Sequence, residues 1–348
     1  MKIDRRVTRL MTTLIVLVTF CRLAIGSDEF RKELLEAATP EWRHLRELFA
    51  GCEGNSETTE TVSPLSAAGE PQITRKSCTF KLRNGLELVE RSASEIISGS
   101  QRSAFDQDEV VVCIGPSNSF VLKRRLGSKA WLIVSTGNKP TEGIRRSTEQ
   151  YWAEYLLAPC SSGGVPFDEL IAKAGFHIES LQSITLNDVE LRKVRFTYTP
   201  TADEIKGHSL SQPLWALRSG TFTFCPRLHW ALVASELVIS TSEQTLGTES
   251  TKVYYDTSKD GVAVPLKVVR TTVSSNVNCE SVARFDRIAF RQIPEAEFTL
   301  PAYGLPEMAI VPHVNRTRLW IILLNVAFFC AFGIMLLYKR FTRSKKAS

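Results

Sequence analysis

The sequence has no C-x-x-C pair, no G-x-S-x-G elbow, no G-x-x-x-x-G-K-[ST] loop and no G-x-G-x-x-G turn. These absences remove the short motifs of zinc ribbons, thioredoxin-type centres, serine hydrolases, phosphate-binding loops and dinucleotide-binding folds. Histidine is scarce as well. The five residues, at 44, 177, 208, 229 and 313, fall in neither H-x-x-x-H nor H-E-x-x-H spacing. A metal site would have to assemble from residues distant in sequence. Asp106 and Asp108, Asp203 and Glu204, and Asp256 and Asp260 lie in or beside turns, where carboxylates are usually solvated, and nothing sets two of them across a cleft. No catalytic residue, metal ligand or cofactor is assigned, and the chain reads as a non-enzyme.

Charge is missing from two apolar segments. Leu10 to Cys21 is too short to span a bilayer; it follows Lys2, Arg5, Arg6 and Arg9 and precedes Ala24-Ile25-Gly26. That pattern predicts a signal peptide over residues 1–26, cleaved before Ser27, with an uncleaved anchor as the alternative. Leu319 to Tyr338 is 20 residues without a formal charge. As a helix it covers about 30 Å, the thickness of the hydrocarbon layer. Trp320 and Tyr338 mark its interfaces, and Lys339, Arg340, Arg343, Lys345 and Lys346 follow. The cations keep residues 339–348 in the cytoplasm and place the folded part outside it, periplasmic or extracellular. Residues 27–293 are then an exported domain, 294–318 a proline-containing extended stalk, and 319–338 a single transmembrane helix.

The whole-chain charge of +6 belongs to the ends: the signal carries +4 and the tail +5, which leaves −3 for everything between. An acidic exported domain has no electrostatic case for nucleic acid. Its six cysteines, Cys52, Cys78, Cys113, Cys160, Cys225 and Cys279, allow up to three disulfides or a set of buried thiols.

Period decides the fold class. Phe30, Leu34, Leu35 and Ala38 share a helical face, and a second helix restarts at Thr39-Pro40 with Trp42, Leu45, Leu48 and Phe49. Residues 51–72 are polar and read as a loose connection. From Arg75 onward period-two runs are joined by turns: Asn84-Gly85, Gly115 to Asn118, Asn187-Asp188, Pro226-Arg227 and Asp260-Gly261. A helical interlude interrupts them at 142–157 and 167–174. The sum is an α+β domain: about ten strands in one large curved antiparallel sheet, half-barrel-like and covered by helices.

This order, together with the strand and turn Gly220-Thr221-Phe222-Thr223-Phe224-Cys225-Pro226, Trp230, and the run Gly261-Val262-Ala263-Val264-Pro265-Leu266, resembles the bacterial LolA/LolB-type lipoprotein-sorting carriers over residues 28–300. The resemblance implies a concave face that holds acyl chains, and hence a lipid or lipoprotein ligand. The lining expected from it is Phe80, Leu82, Leu88, Trp131, Phe196, Phe222 and Phe224. Any sheet core uses the same residues, so a fully packed structural or interaction protein of the cell envelope is the alternative. A C-terminal membrane span also departs from the carriers, because a tethered protein cannot shuttle.

Overall fold

The computed structural model describes residues 29–307, apart from 65–69, 93, 99–100, 107, 117–118, 138–152, 207–215, 241–245, 257–261 and 275–276. The predicted signal, the membrane span, the basic tail and the last part of the stalk lie outside the described residues. Among the described residues no helix is long and apolar enough to cross a membrane. The chain divides into two compact units, Met1–Tyr303 and Gly304–Ser348, and the described fold belongs to the first.

Helix α1 covers residues 29–49 without the expected break at Thr39-Pro40. Proline removes one backbone donor there, but the apolar stripe runs straight past it. Leu34, Ala38, Trp42, Leu45 and Phe49 recur at helical spacing and have no exposed surface. The stripe, not the cap signal, decides the element.

The first strands are β1 (Cys52–Pro64), β2 (Gln72–Arg83), β3 (Leu86–Arg91), β4 (Ser94–Ser98) and β5 (Gln101–Asp106). They continue as β6 (Asp108–Ile114), β7 (Ser119–Arg125) and β8 (Leu132–Gly137). Helix α2 (Ala153–Leu156), the short pair β9 (Ser161–Ser162) and β10 (Val165–Pro166), and helix α3 (Phe167–Ala172) come next. After β11 (Phe176–Leu186), β12 (Val189–Tyr198) and helix α4 (Ala202–Lys206) the chain returns to strands. These are β13 (Leu217–Cys225), β14 (Ala231–Ser240), β15 (Leu246–Asp256), β16 (Val264–Val273) and β17 (Val277–Phe290).

Fifteen of the strands form one antiparallel sheet, in the order β11-β12-β13-β14-β15-β16-β17-β1-β2-β3-β6-β7-β8, with β4 and β5 branching from β2. This exceeds the ten expected: β1, read as a loose connection, is a central strand between β17 and β2, and β4 and β5 are strands that the sequence reading did not place. Two of the turns behave as their dipeptides predict, while Ser117-Asn118 and Asp260-Gly261 lie outside the described residues. Asn84 and Gly85 have φ of 43° and 85°, and Asn187 and Asp188 have 49° and 61°. Both pairs supply the left-handed backbone that a two-residue hairpin requires. Register shifts between β1 and β17, β11 and β12, β13 and β14, and β15 and β16 add bend and twist to the sheet.

The main core lies between this sheet and α1 with α3. Trp42 packs on Phe167 and Phe224 at ring separations of 5.4 and 5.3 Å, and its indole N–H donates to Trp230 O at 2.8 Å. Phe176, Phe196 and Phe222 stack across β11, β12 and β13 at 4.6 and 4.7 Å. Gly220 permits close approach of β13 and β14, because a Cβ there would meet Glu236 O at 2.3 Å. Arg46 clamps α1 to α3 through both oxygens of Asp168 at 2.9 Å.

A smaller core sits on the other face. Residues 291–303, expected in large part as extended stalk, form a strap of two 3-10 turns, Glu295–Phe298 and Leu300–Tyr303. The strap buries Ile293, Phe298 and Leu300 on the side of β3, β6 and β7 that holds Leu88, Cys113 and Phe120. Arg83 donates to Ile293 O at 2.8 Å, and Lys81 meets Glu297 at 2.9 Å. All six cysteines of the domain are free thiols, and four of them are buried.

Candidate functional site

Alternation along each strand assigns every side chain to a face, and the strand registers carry the assignment across the sheet. Under the helices one rung reads Phe222–Ser235–Thr251–Arg270–Ser281–Glu60–Thr74, from β13 to β2. It starts on an aromatic ring and then holds only hydroxyl and charged groups. Ser235, Thr251 and Ser281 on this rung are 4%, 5% and 9% exposed. The next rung, Val253–Val268–Ala283–Thr58–Lys76, is apolar over β15 to β17 and polar over β1 and β2. The third, Phe285–Ser56–Cys78–Arg91, turns polar at the same strand.

This polar band is an extension of the core, not open surface. The guanidinium of Arg270 lies 4.9 Å from the ring of the buried Tyr155, on α2, and Nε is 3.8 Å from Glu249. The Cys279 thiol donates to Glu60 at 3.6 Å. Burial pushes the Cys279 thiol up, and the Glu60 carboxylate adds to the effect. Burial also drives the Lys76 amine below its ordinary range; Glu60 opposes that and Arg91 reinforces it. The Cys78 thiol is raised to about 11 by burial, so it stays protonated.

The residues expected to line a cavity separate into two groups. Phe80, Leu82, Phe196, Phe222 and Phe224 belong to the helix-covered core. Leu88 and Trp131 do not join them. Leu88 pairs with Cys113 on the strap side, and Trp131 packs on Tyr303 at 5.6 Å with Arg124 over its ring at 4.2 Å. A hairpin flips faces at every residue, so Phe80 and Leu88 could not share a face once Phe80 paired with Val89. Phe196, Phe222 and Phe224 have no exposed surface and pack against one another and Phe167.

Sequence reasoning missed Ser56, Thr58, Glu60, Lys76, Arg91 and Arg270. The available signal was weak: serine, threonine and glutamate alternating in β1 show no hydrophobic contrast. His229 sits 2.6 Å from Glu41, with the His44 ring 5.5 Å away. Among the described residues no group of three His, Cys, Asp or Glu is arranged to hold a metal. The opposite face between β11 and β16 is hollowed into a groove of about 840 Å³, crossed by Arg195, Thr221, Glu236, Ser250 and Thr271. Arg195 is paired with Glu179 at 2.9 Å, both exposed, and the groove is a solvated polar face.

Among solved structures, neighbours include a LolA superfamily protein of Nitrosomonas europaea, 12% identical, covering 76% of this chain and 99% of its own, with a TM-score of 0.37. A DUF1329 family protein of Desulfovibrio piger is 8% identical, with coverage of 77% and 98% and a TM-score of 0.37. LprF of Mycobacterium bovis is 9% identical, with coverage of 77% and 95% and a TM-score of 0.27. The superfamily that the sequence resembles is thus among the structural neighbours. At these scores none of them assigns a residue role to this chain. No family model matches the sequence, and no curated protein matches it.

Proposed function

We propose that this chain is a non-enzymatic, membrane-anchored binding module outside the cytoplasm, which holds an amphiphile against the helix-covered face of its sheet. One observation carries the reading: the rung from Phe222 to Thr74 turns from aromatic to hydroxyl and charged while staying on the covered side. A core selected for stability alone has apolar residues there, since each poorly partnered buried polar group costs about 1–3 kcal/mol. A ligand with an apolar chain and a polar end matches both halves of the face. The chain would lie toward Val253, Val268 and Ala283, and the polar end toward Arg270, Glu60 and Lys76. A C-terminal span at 319–338 would keep the module beside a membrane that supplies such molecules, and would exclude shuttling between membranes.

The test is native mass spectrometry with lipid extraction on residues 27–307, a stretch that retains the strap. A co-purifying amphiphile supports the reading and identifies its class. A protein that carries none, takes up none and binds no hydrophobic dye sinks it. The remaining reading would then be a structural or interaction protein of the cell envelope, which the dense packing of Phe167, Phe196, Phe222 and Phe224 favours.

A further inference from the structure

Two cations and two buried hydroxyls converge on the covered face of β1 to β4. Arg91 pairs with Cys78, and Lys76 lies two residues from Cys78 on the same side of β2. Such diagonal neighbours stand about 7–8 Å apart, a spacing at which like charges repel and long side chains can reach a shared object. Glu60 is the carboxylate whose field reaches Lys76.

Ser56 is 3% exposed and lies across from Cys78 on β1; its Oγ has no hydrogen-bond partner among the described residues. Ser94 is 1% exposed, and its Oγ is in the same position. Ser94 lies one residue beyond the Arg75–Glu95 pair of β2 and β4, beside Lys76. It shares its face with Ile96, whose partner Thr74 lies on the polar rung. A buried, partnerless hydroxyl therefore flanks the two cations on each side. Leaving such hydroxyls unmatched is costly in a finished core, and both are donors that suit an oxygen-rich anion.

We propose that Lys76, Arg91, Ser56 and Ser94 form an oxyanion site that takes a phosphate-type group. The Arg91 fork and the Lys76 point charge hold the negative charge, and the two hydroxyls donate to its oxygens. A lipid headgroup and free phosphate share this chemistry. The lipid form rests on the amphiphile reading above, whereas the site itself does not.

The experiment follows thermal unfolding of the full chain in a neutral sugar detergent at constant ionic strength. Sodium phosphate, dioctanoyl phosphatidic acid and dioctanoylglycerol are titrated in turn. Expected is a rise in Tm with phosphate and with phosphatidic acid, and none with the uncharged glyceride. Phosphatidic acid alone supports the lipid form. Inorganic phosphate alone supports the site and removes the amphiphile reading. No shift with either anion overturns the proposal. Arg91→Gln should weaken binding at least about tenfold, and Ser56→Ala about tenfold. Ser56→Ala removes a partnerless hydroxyl, so its ligand-free Tm should stay level or rise. Should Arg91→Gln fail to fold, Ser56→Ala decides alone: unchanged phosphate affinity overturns the assignment.

Discussion

The same sheet carries two cores built in different ways. Under the helices, one continuous stripe from Leu34 to Phe49 meets a core of aromatic rings carried by β11, β12 and β13, and the packing is dense. On the opposite face, a strap of about a dozen residues closes over β3, β6 and β7 with Ile293, Phe298, Leu300 and Tyr303. The first core is made by a regular element laid on a sheet. The second is made by chain that has no regular period and returns from about 200 positions away, as in the contact of Arg83 with Ile293. A large antiparallel sheet needs both faces managed, and this protein covers one with a helix and part of the other with its own C-terminal segment.

If the helix-covered core bears most of the stability, Trp42→Ala should do the greatest harm. It removes a fully buried ring with contacts to Phe167 and Phe224 and the hydrogen bond to Trp230 O. A loss of about 3–5 kcal/mol is expected, read as a shifted urea midpoint. Phe298→Ala should cost about 3 kcal/mol, at the low end of that range, because the strap core is smaller. It should also sharply increase proteolysis between 291 and 303 under conditions where the rest stays folded. Equal cutting in both variants would mean that the two cores unfold as one.

The polar clasp of the helix side gives the next effect. Burial raises the Glu204 carboxyl, but hydrogen bonds from Lys173, the Thr201 N–H and Tyr198 outweigh it and hold the group at about 2. Its ordinary value is 4.5. A carboxylate depressed on folding contributes stability that is complete above the ordinary value and is lost as pH falls towards 2. Glu204→Gln should therefore cost about 2 kcal/mol at neutral pH and flatten the acid loss between pH 4.5 and 2. Parallel acid titrations of both proteins would show the clasp to be unimportant.

What the sequence made legible follows the same division. Alternation and turn dipeptides placed β2, β3, β6 to β8 and β11 to β17, and the apolar stripes of residues 30–49 placed α1. The polar strand β1 stayed hidden because period-two reasoning needs hydrophobic contrast. Ser56, Thr58 and Glu60 face the covered side without any. The feature that concealed the strand is the one that makes it interesting, since those residues form the polar band. The strap was hidden for another reason: Pro294, Pro301 and Pro306 suggest extended chain, and only the tertiary contacts of Phe298 and Tyr303 fold it back. Leu88 and Trp131 were misplaced by treating all large apolar strand residues as one lining, which register alone corrects.

Two tyrosines make a matched pair on which the contrast between the regions becomes fine. Tyr198 donates to Glu204 on the helix side, and Tyr303 donates to Glu90 under the strap, each at 2.7 Å. Burial and the adjacent carboxylate push both phenols up, so both remain donors at physiological pH. Glu204 keeps Lys173 and the Thr201 N–H when Tyr198 is removed, so Tyr198→Phe should cost only about 0.5 kcal/mol. Tyr303 is also packed against Phe120 and Trp131, and its hydroxyl ties the end of the strap to β3. Tyr303→Phe keeps those ring contacts and should cost about 1 kcal/mol, with faster cutting in the strap. Both values are read from urea midpoints at constant m. If Tyr198→Phe proves the more damaging, the redundancy around Glu204 is not real, and the strap hangs on its rings instead of its hydrogen bond.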